Sequence, residues 1–147
     1  MHAAKTDPEE AARFVAATGV HALAVSIGNA HLVQTGAVTV DLDHLAAIRD
    51  AVQIPLVLHG GSGLPADAVT GAIARGVAKI NIGTRLKRIF MEGVREALPP
   101  AGSVSNIHPF VGSREEADYL WRGKRAMGLE IERLIKLYGT AGQALAA

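Results

Sequence analysis

The sequence predicts an α/β fold built on a parallel sheet. Helical and strand-like segments alternate three times along the 147 residues, as helices and parallel strands do in such folds. The strand-like segments are continuous apolar runs rather than alternating ones, the pattern of strands covered on both faces. Each run also ends in a polar stretch bearing glycine. There is no close sequence repeat, so only the architecture recurs, and no linker divides the chain.

Asp7-Pro8-Glu9-Glu10 is a helix start: Asp7 can cap, Pro8 fits the first helical position, and Glu10 stands where a capping box places an acid. That helix runs through Phe14 and Val15 and stops near Gly19. Ala22 to Ile27 is the first strand, ending at Gly28. Leu42, Leu45, Ile48 and Val52 lie on one helical face, with Asp41 and Asp43 favouring the helix start, and Ile54 to Leu58 is the second strand. Val69, Ala72 and Ile73 mark a helix that Gly76 ends, before the third strand, Val77 to Ile82. Thr84 opens a helix carrying Leu86, Ile89, Phe90 and Val94, halted by Pro99-Pro100. Residues 99 to 113 read as a loop. A final helix is expected over about 114 to 138, started by Glu115, Glu116 and Asp118. Its apolar face is Leu120, Met127, Ile131, Leu134, Ile135 and Tyr138, and Gly123 and Gly128 weaken it.

Composition narrows the function. Hydrophobic residues make up 49% and charged residues 20%, which excludes a disordered or fibrous chain. Fifteen basic residues against fourteen acidic ones leave a formal charge of +1, no footprint for nucleic acid or an anionic membrane. Without cysteine there is no disulfide framework, thiolate metal site or cysteine nucleophile. No apolar run approaches the roughly 18 residues of a membrane span, and no signal-type block follows Met1. A soluble cytoplasmic protein is expected.

The chemistry is expected at the strand ends, where parallel α/β folds bind ligands. The first ends Gly28-Asn29-Ala30-His31, the second His59-Gly60-Gly61-Ser62-Gly63 and the third Asn81-Ile82-Gly83-Thr84. His31 and His59 could supply half of a tetrahedral zinc site, or act as structural hydrogen-bonders. Consecutive glycines can turn N–H groups toward an anion, Ser62 adds a hydroxyl, and Asn81 to Thr84 can do the same at a helix start. The plainer alternative is that these glycines only make tight strand-to-helix turns. His2, His21, His44 and His108 carry less weight, Lys79 could face either way, and Trp121 reads as packing.

Four segments together resemble one family: Thr6 to Ala11 (TDPEEA), Ala24 to His31 (AVSIGNAH), Pro55 to Gly63 (PLVLHGGSG) and Lys79 to Thr84 (KINIGT). It is the class II, zinc-dependent fructose- and tagatose-bisphosphate aldolases, and the similarity covers about residues 6 to 140. The resemblance implies reversible aldol cleavage of a ketose bisphosphate to dihydroxyacetone phosphate and an aldehyde. It implies a (β/α)8 TIM-type barrel with zinc as Lewis acid and no Schiff-base lysine. By the same resemblance His31 and His59 match zinc-ligand positions. Gly60, Gly61, Ser62, Asn81, Ile82, Gly83 and Thr84 match segments holding the phosphate and hydroxyl end of dihydroxyacetone phosphate. A homo-oligomer, dimer or tetramer, or a complementing chain is implied as partner.

Two departures matter. After its first zinc histidine the family pattern has glycine, near the phosphate and a monovalent cation; here Leu32 stands there, which leaves fructose, tagatose or another ketose bisphosphate open. A full barrel also needs about 250 residues, and residues 1–147 match only its last three strands and their helices, a partial barrel with a helical tail over about 114–147. The family's Asp-His pair, supplying the acid/base and another zinc ligand, belongs to an earlier strand. No catalytic residue is therefore assigned here, and the isolated chain is expected to be weakly active or inactive. The alternative reading is a non-catalytic phosphosugar-binding remnant or an interaction module needing a partner chain.

Overall fold

The computed structural model describes residues 4–28 and 40–143. They form two compact units, one ending at Gly83 and the other beginning at Thr84.

In the first unit, β1 (Leu23–Val25), β2 (Leu56–Leu58) and β3 (Val77–Ile80) form a parallel sheet in chain order, with β2 at its centre. Helices α1 (Pro8–Thr18), α2 (Leu42–Ala51) and α3 (Ala66–Ala74) alternate with the strands. The α/β class with a parallel sheet is thus as expected. α1 starts as its sequence dictates: Asp7 accepts the Glu10 N–H at 2.8 Å, and Pro8 opens the helix. Gly19 closes it in the left-handed conformation that a glycine adopts without strain. Asp41 caps α2 by accepting the His44 N–H at 2.9 Å.

The core of this unit includes Val25, Ile27, Leu45, Ile48, Val52, Leu56, Leu58, Leu64, Val69, Ala72 and Val77. The strands are shorter than the apolar runs that encode them. Ile27 is fully buried, yet residues beyond Val25 have left the ladder, and the Ile27 carbonyl accepts from the Asp41 N–H at 3.0 Å. Burial, which makes a run apolar, extends further along the chain than strand pairing does.

The second unit holds α4 (Thr84–Ala97) and α5 (Tyr119–Leu137). They meet through glycines. A methyl group on Gly93 would lie 3.1 Å from the Ala126 Cβ and the Arg122 carbonyl, and one on Gly123 would lie 2.8 Å from Val94 and 2.9 Å from Phe90. Gly123, expected only to weaken its helix, is where the two backbones come close.

α5 begins later than expected. Arg114 has φ 62°, outside the helical region, and the helix starts only after Asp118. That buried side chain accepts the N–H groups of Leu120 (2.9 Å), Trp121 (3.3 Å) and Arg114 (2.9 Å). Asp118 is therefore the cap, while Glu115 and Glu116 precede the helix. The expected apolar face is only partly covered: Leu134 is buried, but Leu120, Ile131 and Ile135 are exposed. Among the described residues, no helix is long and apolar enough to cross a membrane.

Candidate functional site

Because the three strands are parallel and adjacent, their carboxyl ends share one edge of the sheet. His59 leaves β2 there, exposed. Gly60 follows in the left-handed conformation (φ 70°, ψ 25°), which turns the chain into a single 3-10 turn, Gly61–Gly63, ahead of α3. From β3, Asn81, Ile82 and Gly83 reach the same edge.

The two segments are stitched together. The Asn81 N–H donates to the Leu58 carbonyl at 2.9 Å, and the Gly61 N–H donates to the Asn81 carbonyl at 3.1 Å. The Gly83 N–H donates to Ser62 Oγ at 3.3 Å. Asn81 Nδ2 lies 3.3 Å from His59 Nδ1. Gly61 is buried and has no room for a side chain: a methyl group would fall against Ile80, 3.2 Å from Ile82 and 3.3 Å from the Asn81 carbonyl oxygen. Its amide is engaged within the pair of segments, so its contribution is close approach of backbone.

The structure therefore brings together His59, Gly60, Gly61, Ser62, Asn81, Ile82 and Gly83. Thr84 begins α4, in the second unit. His31 and Leu32, like His2, lie outside the described residues. His21 is exposed just ahead of β1, at the other end of the strands, and His108 is exposed in the loop between α4 and α5. Lys79 faces solvent. Trp121 carries the Arg125 guanidinium over its ring, 5.2 Å from the centroid, a cation–π contact rather than simple packing.

One polar cluster near the end of β1 is absent from the sequence reading. The Ser26 N–H donates to Thr6 Oγ1 at 2.9 Å, and the Thr6 carbonyl accepts from His44 Nε2 at 2.8 Å. Lys5 pairs with Asp41, and that hydrogen bond, with the His44 N–H, holds the Asp41 carboxyl below its usual range. The signal was the Thr6-Asp7-Pro8 segment, read only as a helix start and a family match.

The comparisons with known proteins decide the family. The model of class-II fructose-bisphosphate aldolases matches residues 1–143. The chain belongs to the class-II fructose-bisphosphate aldolase family. The YdjI aldolase of Escherichia coli K12 is 36% identical to it, with a TM-score of 0.77 over 95% of this chain and 48% of that one. A candidate fructose-1,6-bisphosphate aldolase from Coccidioides immitis is 29% identical, with a TM-score of 0.78 over 97% and 46%. The fructose-bisphosphate aldolase of Campylobacter jejuni, 24% identical, shares the fold with a TM-score of 0.69 over 92% and 45%. The chain thus spans about half the length of these aldolase structures.

The family implies a metal, and the described residues test the fit. Among them no three histidine or carboxylate side chains gather as a metal centre. Of the two expected ligands, His59 alone lies within them. With the Asn81 amide nitrogen toward Nδ1, the neutral ring carries its proton on Nε2. Turning that amide over makes its oxygen the acceptor of an Nδ1–H, the outer-shell contact that metal-binding imidazoles commonly make. With its oxygen so turned, Asn81 would hold the His59 ring in the tautomer that leaves Nε2 open to a metal.

Proposed function

We propose that residues 1–147 supply the phosphate-holding edge and part of the metal centre of a class II ketose-bisphosphate aldolase on a (β/α)8 barrel. The observation that carries this reading is the stitching of the two glycine-bearing strand ends through Ser62 and Gly83 and through Asn81 and His59. It puts the residues matched to the phosphate segments and a matched metal ligand on one sheet edge.

In this reading the two segments, Gly60 to Ser62 and Asn81 to Thr84, hold the phosphate of dihydroxyacetone phosphate through the Ser62 hydroxyl and the backbone donors of Gly60, Ser62, Ile82 and Thr84, while the Gly61, Asn81 and Gly83 N–H groups bind the segments to each other and to β2. Ser62 accepts from the Gly83 N–H, which holds its hydroxyl at the β3 end. Fixing the phosphate fixes the distance from it to the reacting carbons, which lowers the entropic part of the barrier. Asn81 orients the His59 ring. His31 and His59 would hold zinc, which when bound supplies Lewis-acid polarisation of the ketose carbonyl. No described residue is assigned the proton transfer at carbon. Fructose and tagatose 1,6-bisphosphate are both substrate candidates, and the protein is proposed to work as a homo-oligomer.

The test is zinc titration of the chain and of His59→Ala, with folding checked by circular dichroism. The expected result is zinc binding by the parent that the variant loses. Identical titrations in the two folded proteins would remove His59 from the metal centre.

A further inference from the structure

The segment proposed to hold the phosphate runs directly into α4, whose first residue is Thr84. The start of that helix is electrostatically unfavourable. Its first turn carries no acid, while Arg85, Lys87 and Arg88 stand at the end where unpaired N–H groups already concentrate positive charge. Such a turn is destabilised unless something neutralises it.

The neutralising group comes from α5. Glu130 Oε1 lies 2.6 Å from Arg85 Nε, and the Glu130 side chain is only 10% exposed. Arg133, one turn further along α5, donates to the same carboxylate from both Nε and Nη2 at 2.9 Å. This two-point fork fixes the orientation of the carboxylate, so that it meets Arg85 from a set position. The Arg133 hydrogen bonds, followed by the charge of Arg85, hold the Glu130 carboxyl below the usual carboxylate range despite its burial.

We propose that Glu130 is a positioning residue: through Arg85 it keeps the first turn of α4 wound and so fixes the Thr84 end of the phosphate-holding segment. This inference rests on the phosphate reading above. Glu130 acts through Arg85 and is assigned no contact with substrate.

The experiment compares the full chain with Glu130→Gln, Glu130→Asp and Glu132→Gln, the last removing an exposed charge from the same helix. Two quantities are read: amide exchange over residues 87–90, whose N–H groups close the first turn of α4, and affinity for inorganic phosphate. Glu130→Gln should speed exchange at 87–90 roughly tenfold and weaken phosphate binding by a comparable factor. Glu130→Asp should retain much of the protection, and Glu132→Gln should change neither. Unchanged exchange at 87–90 in Glu130→Gln overturns the proposal. So does uniform loosening of both helices with phosphate affinity intact, which is what a merely structural ion pair would give. If Glu130→Gln does not fold, Arg85→Lys replaces it, since lysine keeps the charge but loses the Nε contact. A parent chain that binds no phosphate overturns the phosphate reading, and the exchange measurement then decides alone whether Glu130 holds the turn.

Discussion

At Gly61 an added methyl group would meet Ile80, Ile82 and the backbone oxygen of Asn81. The Ile80 side chain can rotate, but the Asn81 carbonyl cannot leave, because it accepts the Gly61 N–H. Gly61→Ala should therefore push β2's exit turn away from Asn81, at about 1–3 kcal/mol. Gly60 is constrained differently: its φ of 70° is one that L-residues adopt at a cost of about 1–2 kcal/mol. Gly60→Ala and Gly61→Ala should each lower the urea midpoint, and a midpoint unchanged in both would contradict the tight turn. The residue types at the strand ends were legible in the sequence, because glycine, serine and asparagine after an apolar run mark a turn out of the strand. Their mutual contacts were not. Ser62 and Gly83 are 21 residues apart, and His59 and Asn81 are 22 apart, so those bonds exist only once β2 and β3 have paired in register.

The elements follow local rules where local chemistry suffices and depart from them where a partner intervenes. Asp7-Pro8-Glu9-Glu10 starts α1 and Gly19 ends it without help from elsewhere. The start of α5 was misplaced because Arg114 carries a positive φ, which nothing in its side chain announces. The value of Gly93 and Gly123 also depends on a neighbouring helix. Asp118 gives this element a test. Backbone N–H groups of Arg114, Trp121, Leu120 and Gly112 hold its carboxyl below the ordinary 3.8, the Arg114 bond contributing most. A depressed value in the folded state means the unfolded state takes up the proton first as the pH falls. The stabilisation is therefore present above 3.8 and disappears as the pH drops through the lowered value. Comparing parent with Asp118→Asn, the stability gap should shrink as the pH falls from neutral through 3.8 and below it. A gap constant across that range would show that the charge of Asp118 does not hold the turn.

At the scale of the molecule, three parallel strands in chain order place their carboxyl ends along one edge. That edge is where folds of this kind gather ligands. Topology alone assigns it no substrate, since one fold hosts many chemistries. The proposed phosphate role rests on the family, matched over residues 1–143, and on the bonds that tie His59 to Asn81 and Ser62 to Gly83. The central claim is that this edge grips the phosphate end of a ketose, and the most direct measurement is a titration of the isotopically labelled chain with dihydroxyacetone phosphate, followed at each backbone amide. The account predicts saturable shifts concentrated at residues 60–62 and 81–84, weakened when Ser62 is replaced by alanine. Shifts centred elsewhere, or none at saturating ligand in a folded chain, would contradict it.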